Sequence, residues 1–137
     1  MEILTLHEMH LCKLTELTGF KNNGDVELEK SGVCIDDNNT IVAAIVVGNI
    51  TNVPTLGKAI PDSVTDKNGS AQVLLLYVHD HRYYGSLQSL RAFLGYLLPS
   101  KILWCPCSEY TPEELLSELC FQNYVNGLTK TYFMRID

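Results

Sequence analysis

Residues 74–90 read LLLYVHDHRYYGSLQSL. An apolar run stops at a short polar segment. From Gly85 onward the apolar residues recur at helical spacing, as Leu87, Leu90, Leu94 and Leu97, until Pro99 interrupts the pattern. The stretch predicts a buried strand that runs through a tight corner straight into an amphipathic helix. Such a corner is either a plain turn or an anion cradle, because the first amide N–H groups of a helix have no intrahelical partner and point outward.

Working outward, residues 1–6 suit a strand, and residues 7–18 suit a helix with Leu11, Leu14 and Leu17 on one face and Gly19 as its stop. The polar segment NNGDVELEK reads as a loop or a weak second helix. Two β-branched runs flank Asp36-Asp37-Asn38-Asn39, which predicts an antiparallel hairpin whose second arm, apolar on both faces, is a central strand. Residues 51–70, with Pro54, Gly57, Pro61 and Gly69, read as a long connection, a lid or a partner-binding loop. Residues 71–79 and 101–107 read as buried strands. Thr111-Pro112-Glu113-Glu114 predicts a helix start, with Thr111 as cap, Pro112 at the first helical position and Glu114 closing a capping box. The tail reads as two closing strands turning near Asn126-Gly127. The order is β-α-β-β-β-α-β-α-β-β, which predicts an α/β (α+β) fold with a mixed, mostly antiparallel sheet and helices on both faces.

At 137 residues the chain is expected to form a single domain spanning 1–137, with 46% hydrophobic and 19% charged residues. A net charge of −6 argues against nucleic-acid or anionic-membrane binding, both of which need clustered Lys and Arg. The apolar runs are too short for a transmembrane helix, and the N-terminus lacks a basic-then-apolar leader, so a cytoplasmic protein is expected. Five cysteines, odd in number and set among apolar residues, read as reduced thiols.

The element order, with Arg82-x-x-Gly85 between the fourth strand and the next helix, resembles the GNAT acetyltransferase superfamily. LYVHDHRYYGSLQSL is similar to that family's pyrophosphate stretch, Gln/Arg-x-x-Gly-x-Gly/Ala, with Leu87 in place of the last small residue. The tail, with Phe121, Met134 and Arg135, resembles the family's ending, where Cys120 replaces the usual Gly. The resemblance implies that a bulge splays the fourth strand from the fifth. It implies acetyl-CoA as cofactor, with backbone contacts from Leu76, Tyr77 and Val78 and a phosphate turn of Arg82, Tyr83, Tyr84, Gly85, Ser86 and Leu87. It also implies an acid Tyr in the last helix, a place that Leu116 occupies here.

His79, at the end of the fourth strand, is the candidate base; its plainer reading is a strand-end His bonded to solvent or backbone. His79-x-His81 shows no third ligand, so no metal is expected. His7 and His10 lack the HExxH spacing and read as a solvated helix face. Cys105-Pro106-Cys107 is neither a redox pair nor a zinc knuckle and reads as packing. Tyr83 and Tyr84 suit either stacking on an adenine or a protein-binding surface. Two functions follow from the resemblance. One is an acyl-CoA-dependent N-acyltransferase acting on an amine of a small molecule or protein. The other is a degenerate GNAT-fold binding or structural protein with a protein partner, virion-associated if of phage type. An α/β domain unrelated to the family is the third reading.

Overall fold

The computed structural model describes residues 1–22, 24–49, 71–98, 102–106, 108–126 and 129–135. The connection read at 51–70, together with Pro99, Cys107 and Gly127, lies outside the described residues. Among the described residues, seven strands and three α-helices follow in the predicted order: β1 (Glu2–Thr5), α1 (Glu8–Thr18), β2 (Gly32–Ile35), β3 (Ile41–Asn49), β4 (Ala71–Val78), α2 (Tyr84–Leu97), β5 (Ile102–Pro106), α3 (Glu113–Glu118), β6 (Gln122–Asn126) and β7 (Thr129–Arg135). They form one sheet in the order β1-β2-β3-β4-β5-β7-β6. Every pairing is antiparallel except β4 with β5.

Each sheet face buries its own core. On one side, Leu87, Leu90 and Leu94 of α2 and Leu115 and Leu116 of α3 pack on Val73 and Leu76. On the other, Leu11 and Leu14 of α1 pack with Phe20 on Ala44, Val46 and Leu75. Leu17 departs from the expected apolar face and is 49% exposed. Residues three apart fall short of a full helical turn, so the third of such a series stands about 120° from the first.

The hairpin between β2 and β3 closes on Asp36, whose Oδ1 accepts the N–H groups of Asn38 and Thr40, both at 2.9 Å, while Asn39 takes a left-handed φ of 63°. Instead of a second helix, residues 28–30 form one 3-10 turn. The preceding segment crosses β3 closely: Val26 bridges Gly48, and the Glu27 N–H donates to the Val47 carbonyl at 2.9 Å. A side chain at Gly48 would run into the Asp25 carbonyl, so the crossing needs glycine there.

The end of α1 and the end of α3 show two ways of stopping a helix. Gly19 has φ 78° and donates its N–H to the Thr15 carbonyl. At the end of α3, the Cys120 N–H reaches the Ser117 carbonyl and the Phe121 N–H reaches Leu116, with Cys120 at φ 63°. This is a Schellman stop whose left-handed residue carries a Cβ, and it explains why a glycine suits that position. The expected start of α3 needs correction. Pro112 precedes the helix, the Thr111 hydroxyl accepts the Ser108 N–H at 3.0 Å, and the Glu114 carboxylate takes the Tyr84 hydroxyl instead of closing a capping box. His7 and His10 also serve a cap, with the His7 N–H donating to His10 Nδ1 at 3.1 Å. Burial and the neighbouring His7 hold the His10 imidazole below its ordinary pKa.

Candidate functional site: the opening between β4 and β5

β4 carries one residue too many for its pairing with β3. Val46 faces Leu75 and Val47 faces Val73, which leaves Leu74 as a bulge. The extra residue shifts the alternation: Val73 faces the α2 side before it, and Leu76 faces that side after it. It also bends β4 away from β5. Among the described residues, their parallel pairing is confined to Ala71 with Leu103 and Gln72 with Trp104. Beyond the bulge the strands part, as the resemblance implied.

The backbone in this opening has a direction. The His79 N–H donates to Val42 of β3 at 2.9 Å, so the alternate residues Leu76 and Val78 turn their amides toward the gap. There the Leu76 N–H meets the Tyr110 carbonyl at 2.9 Å. Tyr110 is held in turn by its hydroxyl, which donates to the Gly19 carbonyl at 3.1 Å, and by an edge-to-face contact with Phe20 at 5.4 Å between centroids. Tyr110 thus divides the opening into two cavities. One, of about 260 Å³, is walled by Leu76, Tyr77, Val78, Pro112 and Leu115. The other, of about 340 Å³, is walled by Phe20, Asp25, Val26, Gln72 and Leu74. Leu76, Tyr77 and Val78 line the smaller of these two cavities, and burial raises the Tyr77 phenol pKa.

The corner after β4 is less bare than its sequence suggests. Asp80 Oδ1 accepts the Arg82 N–H at 2.9 Å, and the Tyr83 N–H reaches the Asp80 carbonyl at 3.0 Å in a 3-10 turn that leads into α2. The Asp80 carboxylate also grips the Arg82 guanidinium twice, at 3.0 and 2.7 Å. Arg82 holds the Asp80 carboxyl down at about 2. Tyr84 donates to Glu114 and so ties the start of α2 to α3; that bond, with burial and the charges of Glu114 and Glu118, pushes the phenol up to about 12.

The remaining turn residues divide by face. Gly85 is exposed, and a Cβ there would meet nothing within 4 Å. Ser86 turns inward to Cys34, and Leu87, fully buried, sits in the core, so their side chains are not on the phosphate face. Tyr83 is half-buried and edge-on to His79 at 6.0 Å. His79 lines a third groove, of about 730 Å³, with Leu4, His7, His10 and Ile41 on the α1 side, and neither cavity of the opening includes it. Leu116 is 1% exposed within the core, so that helix offers no proton donor at the place the resemblance assigns to an acid.

Three features accommodate a CoA-type ligand: the opening, the gap-facing Val78 amide and the uncovered Gly85. The phosphate end additionally requires Arg82 to exchange the Asp80 carboxylate for phosphate oxygens. Sequence reasoning missed the grip of Asp80 on Arg82, although Asp two residues before a donor at a helix start is ordinary turn chemistry. It also missed the landing of the Tyr110 carbonyl on Leu76, for which the sequence held no signal.

No protein-family profile and no curated protein sequence matches the chain. Solved structures do. NAA60 of Arabidopsis thaliana in complex with acetyl-CoA superposes with a TM-score of 0.53 at 12% identity, covering 96% of each chain. A chimera of spermidine N-acetyltransferase SpeG from Vibrio cholerae and hSSAT gives 0.51 at 11% identity, covering 94% of this chain and 76% of that one. The chain has the GNAT acetyltransferase fold.

Proposed function

We propose that this chain is an acyl-CoA-dependent N-acyltransferase that acts on an amine. The observation that carries the reading is the bulge at Leu74, which parts β4 from β5 and turns the Leu76 and Val78 amides into the gap. Val78, and Leu76 once the Tyr110 carbonyl yields, would hold the pantetheine arm; Arg82 and the uncovered turn at Gly85 would hold the phosphates. Acyl-CoA supplies an activated acyl carbon. The chain's part is to align that carbon with an amine and exclude water, and alignment alone contributes much of the acceleration in a two-substrate transfer. Because Leu116 has no proton to give and His79 stands outside both cavities, proton exchange falls to solvent in this reading.

Acetyl-CoA titration followed by thermal melting tests it. A ligand that binds only the folded state raises Tm, and Gly85→Glu, which puts a carboxylate against the phosphates, is expected to abolish the rise. No rise at saturating acetyl-CoA removes the reading. A second reading, a GNAT fold retained as a binding protein for a protein partner, is favoured by the pairing of Arg82 with Asp80 and by Glu114 and Glu118 beside Tyr84, which leave the corner acidic. It predicts no acetyl-CoA response and a stable complex in pull-down.

A further inference from the structure

The Leu76 amide, which the parting of the strands turns into the gap, is occupied by a group from neither strand. Its partner is the Tyr110 carbonyl, at 2.9 Å, in the turn that leads into α3. That turn is a compact unit. Ser108 bridges Thr111, the Ser108 N–H donates to the Thr111 hydroxyl at 3.0 Å, and the Tyr110 N–H donates to the Ser108 hydroxyl at 3.2 Å. The Tyr110 side chain packs with the core on the α1 side of the sheet. Its hydroxyl donates to the Gly19 carbonyl at 3.1 Å, with the Glu109 carboxylate beside it, and its ring meets Phe20 edge-on. Gly19 is a firm anchor. Its own N–H bonds the Thr15 carbonyl at 2.8 Å, and the next N–H, of Phe20, bonds the Thr18 hydroxyl at 3.1 Å.

We infer that Tyr110 is a latch on the acyl-CoA channel. Its carbonyl holds the place of a pantetheine amide carbonyl on the Leu76 N–H, and its side chain, fastened to Gly19 and Phe20, sets how often that place is free. The inference deepens the transferase reading and rests on it. Pantetheine carries secondary amides, so the ligand gives Leu76 a bond of the same kind that Tyr110 surrenders. That exchange is near neutral, and the opposition to opening comes from the hydroxyl tether and the ring contact. Apparent affinity is the intrinsic affinity scaled by the open fraction, so a firmer tether means weaker binding. Opening has a second consequence. Tyr110 walls both cavities, of about 260 and 340 Å³, and its withdrawal joins the channel along Leu76 and Val78 to the cavity lined by Phe20.

The test uses the full chain labelled with ¹³C and ¹⁵N. Scalar coupling across the hydrogen bond from the Leu76 N–H to the Tyr110 carbonyl is expected in the free protein and absent in the acetyl-CoA complex. Tyr110→Phe keeps the ring and the carbonyl and removes only the hydroxyl. It should tighten acetyl-CoA binding in calorimetry roughly 2- to 10-fold and quicken hydrogen exchange at the Leu76 amide by a similar factor. A contact that merely supports the fold would give the opposite sign, with weaker binding in the variant. Ser108→Ala, which loosens the turn by removing the acceptor of the Tyr110 N–H, should act in the same direction as Tyr110→Phe. A coupling that persists in the complex overturns the latch and leaves the transferase reading standing. So does acetyl-CoA affinity that is unchanged or weakened in both variants. Failure of the parent to bind acetyl-CoA removes the transferase reading, and exchange alone then judges the latch: a quickened Leu76 amide in Tyr110→Phe upholds it, and an unchanged rate overturns it.

Discussion

Replacing Gly48 by Ala tests how the cavity wall is built. The new Cβ would run into the Asp25 carbonyl oxygen, lying 3.3 Å from the carbonyl carbon and 2.9 Å from Leu74 Cδ1. Leu74 can swing its terminal methyl aside, but Asp25 belongs to a pinned backbone. Val26 bridges Gly48, the Glu27 N–H bonds Val47, and the Ser31 hydroxyl donates to the Glu27 carbonyl at 2.9 Å. To restore ordinary contact the Asp25 carbonyl must retreat by about 1 Å, which strains those links. Overpacking and weakened hydrogen bonds together cost about 3 kcal/mol, and the strand preference for Ala over Gly returns about 1. The net loss of about 2 kcal/mol should lower Tm by roughly 6–10 °C in a domain of this size. Thermal and urea unfolding measure the loss, and hydrogen exchange at the Glu27 amide should quicken as its bond to β3 weakens. An Ala variant as stable as the parent, with Glu27 exchange unchanged, would refute the close crossing.

Leu87→Ala should cost about 2–5 kcal/mol in urea unfolding and leave acetyl-CoA response unaltered, because that side chain is fully buried in the core; a stable variant with tighter binding would return Leu87 to the phosphate turn. Cys120→Gly should stabilise by up to about 1 kcal/mol by relieving the left-handed Cβ at the end of α3, and a loss in urea midpoint would contradict the assignment. Asp80→Asn should strengthen acetyl-CoA binding in calorimetry by releasing Arg82, and an unchanged affinity would mean the pair does not guard the turn. On pH, the lowered Asp80 carboxyl contributes stability that is complete above 3.8 and lost as pH falls through about 2. The raised Tyr84 phenol contributes stability that is complete below 10 and lost as pH rises through about 12. Melting curves for the parent against Asp80→Asn and Tyr84→Phe at the two extremes check both signs.

The order of elements was legible because it depends on local pattern: β-branched runs around Asp36-Asp37-Asn38-Asn39, leucines at helical spacing after Gly85, and Gly19 as a stop. Those signals act between near neighbours in the chain, where dihedral preferences and one-sided burial speak for themselves. The parting of β4 from β5 came to the reading only through resemblance, since the bulge is defined by which residue of β3 faces which of β4, a relation across some thirty positions of chain. The partners of polar groups were hidden for the same reason. Arg82 was visible, but its capture by Asp80 depends on the backbone turning back on itself; Glu114 was visible, but Tyr84 claims it from a different helix. Tyr110 bears on the opening only because its carbonyl lands on Leu76 and its hydroxyl on Gly19. Local pattern thus determined which segments coil and which extend. Which charge neutralises which, where the sheet parts and that Tyr110 lands on Leu76 were decided by tertiary packing, because each is a matter of distance between residues that the chain order keeps apart.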